Sequence, residues 1–250
     1  MTYTSEELKK LALHLIQEAE QKGATLRLLG GLAFYLASPK TSNHPVLKRE
    51  YKDLDFVVNR RGARFVTDAF IAQAWEPDRH FNALHGETRM LFYYQAEIQA
   101  DLFVGNFVQC HNLKLDNRLK INPTTLSLAD LLLTKLQIRK INTKDANDIF
   151  MLLLSADFVR RPDENKIDLS YITDLTSKDW GWYTTLYDNL TFLQTAIPEG
   201  LQKQERETIR AKLLELKKMI EKAPKSIGWQ VRNKIGRRIA WYDEPEEVNR

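Results

Sequence analysis

The alternation of apolar and polar residues predicts helices and short strands in turn over the first half of the chain. A helix begins after Thr4, which has capping-box spacing to Glu7 and precedes apolar residues at helical period. A short strand over residues 25–29 then runs directly into the pair Gly30-Gly31, and another helix follows. In such a turn, backbone N–H groups at the start of the helix can hold a phosphate.

A second strand carries a pair of carboxylates. Apolar side chains at every second position of residues 52–58 indicate a strand with one buried face, and the same alternation puts Asp53 and Asp55 together on the other face. Their backbones lie about 6.5–7 Å apart, so their oxygens can converge on a divalent cation. Mg²⁺ is the default candidate because it takes oxygen ligands. The alternative is an edge strand with a solvated acidic face.

A third carboxylate follows on a different predicted strand. A helix over residues 63–75 precedes two strands, 89–94 and 98–104, that are joined by a short polar turn. Asp101 stands in the middle of the otherwise apolar strand 98–104. A half-buried carboxylate is costly unless it is paired or binds a metal, so the pattern predicts a partner for Asp101.

The character of the chain changes after Pro123. A last strand of the first half is predicted over residues 112–119, and helical periods dominate from there on. The predicted helices cover residues 127–139, 144–154, 171–175, 182–193 and 205–220. The predicted class is α+β, with a mixed-sheet α/β core in residues 1–120 followed by a helical half in residues 121–250.

Composition excludes several classes. The 250 residues have a formal net charge of +4, one cysteine and no apolar run of the roughly 18 residues that a bilayer span requires. A single cysteine excludes an intramolecular disulfide and a cysteine-based zinc site. The polar, acidic N-terminus does not resemble a signal peptide. We therefore expect a cytoplasmic protein that does not bind a membrane.

Basic residues concentrate near the C-terminus. Residues 201–240 contain twelve lysines and arginines against four glutamates. This excess favours a polyanionic partner such as RNA, and a merely solvated helix face is the alternative. The cluster with which we expect RNA contacts consists of Lys217, Lys218, Lys222, Lys225, Arg232, Arg237 and Arg238.

The order of a glycine pair, an Asp-x-Asp strand and a third aspartate resembles the nucleotidyltransferase superfamily typified by DNA polymerase β. The long spacing between the glycines and Asp53 is similar to the branch of abortive-infection toxins, as is Arg49 four positions before Asp53. Two helical segments, Leu128 to Leu136 and Lys144 to Ile149, also resemble that branch. The resemblance covers roughly residues 24–155. Tyr51 and Leu32 depart from it, since Ser and Thr are usual at those places.

The resemblance implies a site for a nucleoside triphosphate and two Mg²⁺ ions. In it, Asp53 and Asp55 bridge both ions, and Asp101 completes the shell of the first ion and serves as general base. The remaining implied contacts to the nucleotide are Gly30, Gly31, Arg49, Lys135 and Lys144. Asp145 lies in a first helical turn, where the helix dipole alone favours a carboxylate, and both Asp145 and Asp148 are left out of the catalytic residues.

The expected activity is transfer of a nucleoside monophosphate from the triphosphate to a hydroxyl of an RNA end, a protein or a small molecule. The alternative is a non-catalytic module on the same fold that binds RNA or protein through the basic C-terminal half. A hydrolase is a weaker third hypothesis, because Cys110 has only His111 beside it and no Gly-x-Ser-x-Gly is present.

Overall fold

A mixed five-stranded sheet organises the first half of the protein. The computed structural model describes residues 3–244. In the sheet, the order is β1-β2-β5-β4-β3; β2 and β5 are parallel and the other neighbours antiparallel. The predicted α+β class and mixed sheet are confirmed. The strands are β1 Leu26–Leu29, β2 Leu54–Val58, β3 Trp75–Pro77, β4 Arg89–Tyr94 and β5 Ile98–Val104.

The first two helices begin where local signals place them. Thr4 caps the first helix and forms the predicted capping box with Glu7, and the next helix starts at Gly30 directly after β1. Both predictions are confirmed. The four helices are α1 Ser5–Gln21, α2 Gly30–Ala37, α3 Ala63–Ala72 and α4 Arg79–His85.

Two predictions for the first half need correction. The helix predicted to reach Trp75 ends at Ala72, because Trp75 starts β3 and packs between Phe70 and Tyr94. β3 and α4 were not predicted. The strand predicted over 112–119 is limited to β7, Asn112–Lys114, which pairs only with β6, Asn106–Val108.

From residue 121 to residue 244, the regular structure is helical apart from one short parallel pair of strands. That pair is β8, Phe158–Val159, and β9, Ile167–Asp168. The helices are α5 Leu128–Leu136, α6 Thr143–Ser155, α7 Leu169–Lys178, α8 Trp180–Thr195, α9 Lys203–Lys222 and α10 Ile227–Ile235. The apolar pattern predicts α5 to α9 with shifted ends but does not predict α10.

One hydrophobic core runs through both halves. It joins the sheet side chains to those of the helical half, and α2 lies where they meet because it packs against β1, β2, α5 and α6. The N-terminus of α2 is therefore surrounded by residues from both halves. Within residues 3–244, no helix has both the length and the apolar character for a bilayer span.

Candidate functional site

The turn from β1 into α2 has backbone geometry that requires glycine. Gly30 has φ +68°, a conformation that L side chains rarely adopt, and a Cβ built on it would overlap the Asp55 carboxylate. A Cβ on Gly31 would overlap the guanidinium of Arg49. The helix cap at Leu29 supplies no side-chain hydrogen bond to the first turn of α2. This turn has the N–H groups of a helix start beside both an anionic and a cationic side chain.

The structure places two of the three predicted carboxylates, Asp55 and Asp101, side by side, with Asp55 against this turn. Asp55 of β2 and Asp101 of β5 are register partners on adjacent parallel strands, so they lie on the same face of the sheet. Asp53, half-buried, lies just before β2. Burial first, and then the charges of Asp101 and Asp53, raise the pKa of Asp55 to about 7, although Lys135 and Arg89 oppose the rise.

Arg89 is a member of the site that the sequence did not indicate. Its Nε donates to Asp101 Oδ1 at 2.7 Å, and its terminal nitrogen donates to the other oxygen of the same carboxylate. The guanidinium also lies 5.3 Å from the centre of the Phe103 ring. The partner predicted for Asp101 is thus an arginine from the neighbouring strand β4 in this structure. Across residues 3–244, no three His, Cys, Asp or Glu side chains are grouped so as to hold a metal ion.

A second charged network lies on the other side of the glycines. Arg49 donates from Nε and a terminal nitrogen to the two oxygens of Asp148, at 3.0 and 2.8 Å. Lys135 Nζ donates to Asp145 Oδ1 at 2.5 Å and lies 3.4 Å from Asp148. Asp148 is fully buried, so α6 supplies the counter-charges for cations from the loop before β2 and from α5.

Asp145 and Asp148 belong to this network, although the sequence analysis left them out. The resemblance in the segment 144–149 indicates a charged pair near the nucleotide. The helix dipole by itself accounts for an acidic residue in a first turn, so only the structure reveals the bond from Lys135 to Asp145. The side chain of Lys135 is 13% exposed and meets both carboxylates, so it is a full member of the network. Lys144, in the first turn of α6, is exposed, and no contact joins it to the network in the described part of the chain.

The donor set fits a hard divalent cation and a phosphate. Asp53 and Asp55 supply carboxylate oxygens, and a cation between them would offset the burial and the repulsion that raise the pKa of Asp55. Each oxygen of Asp101 accepts one bond from Arg89, which leaves each a second lone pair for a cation or a proton. The N–H groups at Gly30 and Gly31, with the positive charges of Arg49 and Lys135 nearby, suit an anionic group.

His111, the residue beside the lone cysteine, has a packing role. Its ring stacks on Trp182 at 4.9 Å, and its Nε2 lies 2.8 Å from the hydroxyl of Thr185. Burial lowers the pKa of His111 to about 4. Cys110 is buried and accepts a hydrogen bond from the backbone N–H of Arg139. These contacts give no support to the hydrolase hypothesis.

The predicted RNA-binding cluster divides into residues with and without internal bonds. Arg237 bonds Asp188 at 2.7 Å, and Arg232 donates to the carbonyls of Gly236 and Ile239. Lys225 caps the carbonyls at the end of α9, and Lys217 donates to the Thr191 hydroxyl. The other members, Lys218, Lys222 and Arg238, lie on the surface.

Comparisons with known proteins assign no family. No protein-family model matches the sequence, and a search of curated proteins returned no significant match.

Proposed function

We propose that this protein is a Mg²⁺-dependent nucleotidyltransferase of the DNA polymerase β-like superfamily, similar to its abortive-infection toxin branch. One observation carries the proposal: Asp55 and Asp101 are register partners on parallel strands, and the Asp55 carboxylate lies against Gly30 at the start of α2. Carboxylates and helix N–H groups at one place suit a metal-bound triphosphate. The sequence order of these residues supports the same function.

In the proposed reaction, an acceptor hydroxyl attacks the α-phosphorus of a nucleoside triphosphate. A new oxygen–phosphorus bond forms, the bond to the bridging oxygen breaks, and pyrophosphate leaves. Bound magnesium would stabilise negative charge on the attacking and leaving oxygens. Asp53 and Asp55 would hold it, and Asp101 would accept the hydroxyl proton.

The cationic network would act on the phosphates. Gly30 and Gly31 would donate backbone N–H groups to the triphosphate, and Lys135 lies close enough to Asp55 to lower its pKa. Arg49 approaches Gly31 so closely that no Cβ fits there. Both cations would stabilise the charge that develops on the leaving pyrophosphate. Lys144 stays a candidate for the outer phosphates, from an exposed position.

The test is transfer of label from each of four α-labelled triphosphates, with Mg²⁺ and fractionated cell extract as the source of acceptors. We expect label in one class of acceptor, and its loss in Asp55→Asn. Asp174→Asn, which changes an exposed carboxylate paired with Lys178 on α7, is the matched control and should retain transfer. The proposal would be contradicted if no fraction acquired label and the wild-type protein also bound none of the four triphosphates.

The non-catalytic alternative has one observation in its favour. Asp101, the proposed base, has both oxygens bonded to Arg89, which is the arrangement of a structural ion pair. A binding module on this fold would need no metal. Its affinity for RNA or for a protein would then be the same in wild type and in Asp53→Asn, and label transfer would be absent from both.

A further inference from the structure

Helix α10 carries its aliphatic side chains on the outside of the molecule. Ile227, Val231 and Ile235 recur every fourth residue and are 82%, 56% and 38% exposed, and Ile239 beyond the helix is 60% exposed. Residues four apart lie one above another on a helix, so the three form a continuous ridge. No other helix among residues 3–244 has three large exposed apolar side chains.

The opposite side of α10 attaches it to the protein. Trp229 packs edge-on against Tyr183 at 5.2 Å, and the Trp180 indole N–H donates to Asn233 at 2.7 Å. Arg232 lies 4.5 Å above the Trp180 ring. Ser226 caps the start of the helix. These contacts fix the orientation of α10, so the ridge is held outward in a preformed conformation.

The stretch of chain that carries the ridge contains basic residues but no acidic one. No acidic residue occurs in the sequence between Lys222 and Asp243, whereas Lys234 and Arg238 are both exposed beside the ridge. Two copies of the protein joined through α10 would therefore bring like charges together, which disfavours a self-associating interface. Charge complementarity requires an anionic partner.

The shape of the ridge selects among anionic partners. Interfacial membrane helices present a broad apolar face with aromatic side chains, but here Trp229 points inward and the ridge is narrow and entirely β-branched. RNA-binding surfaces stack bases on exposed aromatic rings, which the ridge lacks. A narrow aliphatic ridge with flanking cations is the kind of surface against which an amphipathic helix packs.

We propose that α10 is a docking helix for an acidic amphipathic helix of a partner protein. Ile227, Val231, Ile235 and Ile239 would pack between aliphatic side chains of the partner. Lys234 and Arg238 would pair with its glutamates or aspartates. This surface is independent of the carboxylate site and of the nucleotidyltransferase proposal.

The test uses the full-length protein and a fluorescein-labelled 20-residue peptide with leucines at heptad positions a and d and glutamate, glutamine and alanine elsewhere. Binding is followed by fluorescence anisotropy. We expect saturable binding, and affinity lower by about tenfold or more in Ile227→Ser/Val231→Ser, since two apolar contacts are lost. Leu84→Ser removes a similarly exposed side chain from α4 and should leave the affinity unchanged. Lys234→Gln/Arg238→Gln should weaken binding and reduce its dependence on salt.

Three further arms decide the identity of the partner. A scrambled peptide of the same composition should bind at least about tenfold more weakly, because it has no apolar stripe. Equal affinity for both peptides, or an unchanged affinity in Ile227→Ser/Val231→Ser, would overturn the proposal. Binding of phosphatidylserine vesicles or of a single-stranded RNA through the ridge, with no binding of the peptide, would overturn it as well. Circular dichroism of each variant verifies the fold.

Discussion

At the scale of single residues, several charged side chains of the site act on one carboxylate, that of Asp55. Its carboxylate lies against Gly30, and burial together with Asp101 raises its pKa to about 7. In the unfolded chain an aspartate titrates near 3.9. The native state therefore binds the proton more tightly than the unfolded state does, and folding stability is lost as the pH rises from about 4 through 7.

We predict that Asp55→Asn removes this loss in metal-free protein. Urea unfolding in the presence of a chelator at pH 5 and pH 8 measures the effect. Between these two pH values, the free energy of unfolding of the wild type should fall by about 2–4 kcal/mol more than that of the variant, since each pKa unit corresponds to about 1.4 kcal/mol. Asp174→Asn, with its exposed carboxylate, should behave as wild type. Equal pH dependence of wild type and Asp55→Asn would show that Asp55 titrates normally.

Tyr51 gives a second prediction for a single residue. Its hydroxyl is buried and has no hydrogen-bond partner within the described residues, while its ring packs under Arg49 and beside Tyr35. Because an unpaired buried hydroxyl costs free energy, Tyr51→Phe should be neutral or raise the free energy of unfolding by up to about 1 kcal/mol. Urea unfolding measures the difference.

Tyr171→Phe is the matched control for that substitution. The Tyr171 hydroxyl hydrogen-bonds the buried carboxylate of Asp130, which also pairs with Arg118. Loss of this bond should cost about 1–3 kcal/mol, because it leaves a buried charged acceptor with one partner fewer. A large loss of stability in Tyr51→Phe instead would mean that its hydroxyl has a partner in solution.

At the scale of elements, α6 connects the helical half to the glycine turn. Asp148 is fully buried between Arg49, from the loop before β2, and Lys135 of α5. The two cations arrive from segments that are far apart in sequence. Their common counter-ion therefore fixes the position of α6 relative to the Gly30-Gly31 turn, and a change at Asp148 affects packing between the halves.

We predict that Asp148→Asn lowers the free energy of unfolding by about 3–5 kcal/mol, because Arg49 loses its counter-ion and Lys135 keeps only Asp145. Chemical denaturation gives the value. Asp174→Asn, which breaks an exposed i,i+4 pair with Lys178, should cost less than about 1 kcal/mol. A loss for Asp148→Asn no greater than that of the control would show that the network is not a stabilising link.

At the scale of the whole molecule, the basic residues of the C-terminal half form a surface apart from the carboxylate site. Lys218 and Lys222 of α9 line an open groove of about 750 Å³ with Arg160. Lys225, Arg232 and Arg237 instead have partners within the protein. The RNA-binding prediction therefore rests chiefly on α9.

If the acceptor is RNA, the affinity of the protein for a tRNA pool should fall steeply as the salt concentration rises. The slope of log affinity against log salt concentration should be about 0.7–0.9 per phosphate neutralised. Lys218→Gln/Lys222→Gln should lower that slope by about 1–2 and weaken binding to all RNA sequences alike. Lys9→Gln on α1 serves as the control. Nitrocellulose filter binding over a salt series measures the slope. Undetectable binding at low salt would exclude RNA as the partner.

Local sequence signals determined most of the elements around the site. Capping by Thr4, the two-residue alternation of β2 and β5, and the strand–glycine–helix order at Gly30 act within a few residues, so the sequence alone predicts them. Alternation also predicts that Asp55 shares a face with Asp53 and points away from the face of Leu54 and Phe56. The α+β class follows from the change of period after Pro123.

Tertiary packing decided the features that join distant segments. Trp75 is in a strand because it packs between Phe70 and Tyr94. The apolar periodicity does not predict α10, because the side by which this helix attaches to the protein is aromatic and polar. The bonds from Arg89 to Asp101 and from Arg49 to Asp148 depend on strand register and on helix placement. Sequence spacing determines which face a side chain occupies, but only the packed structure determines which charge faces it.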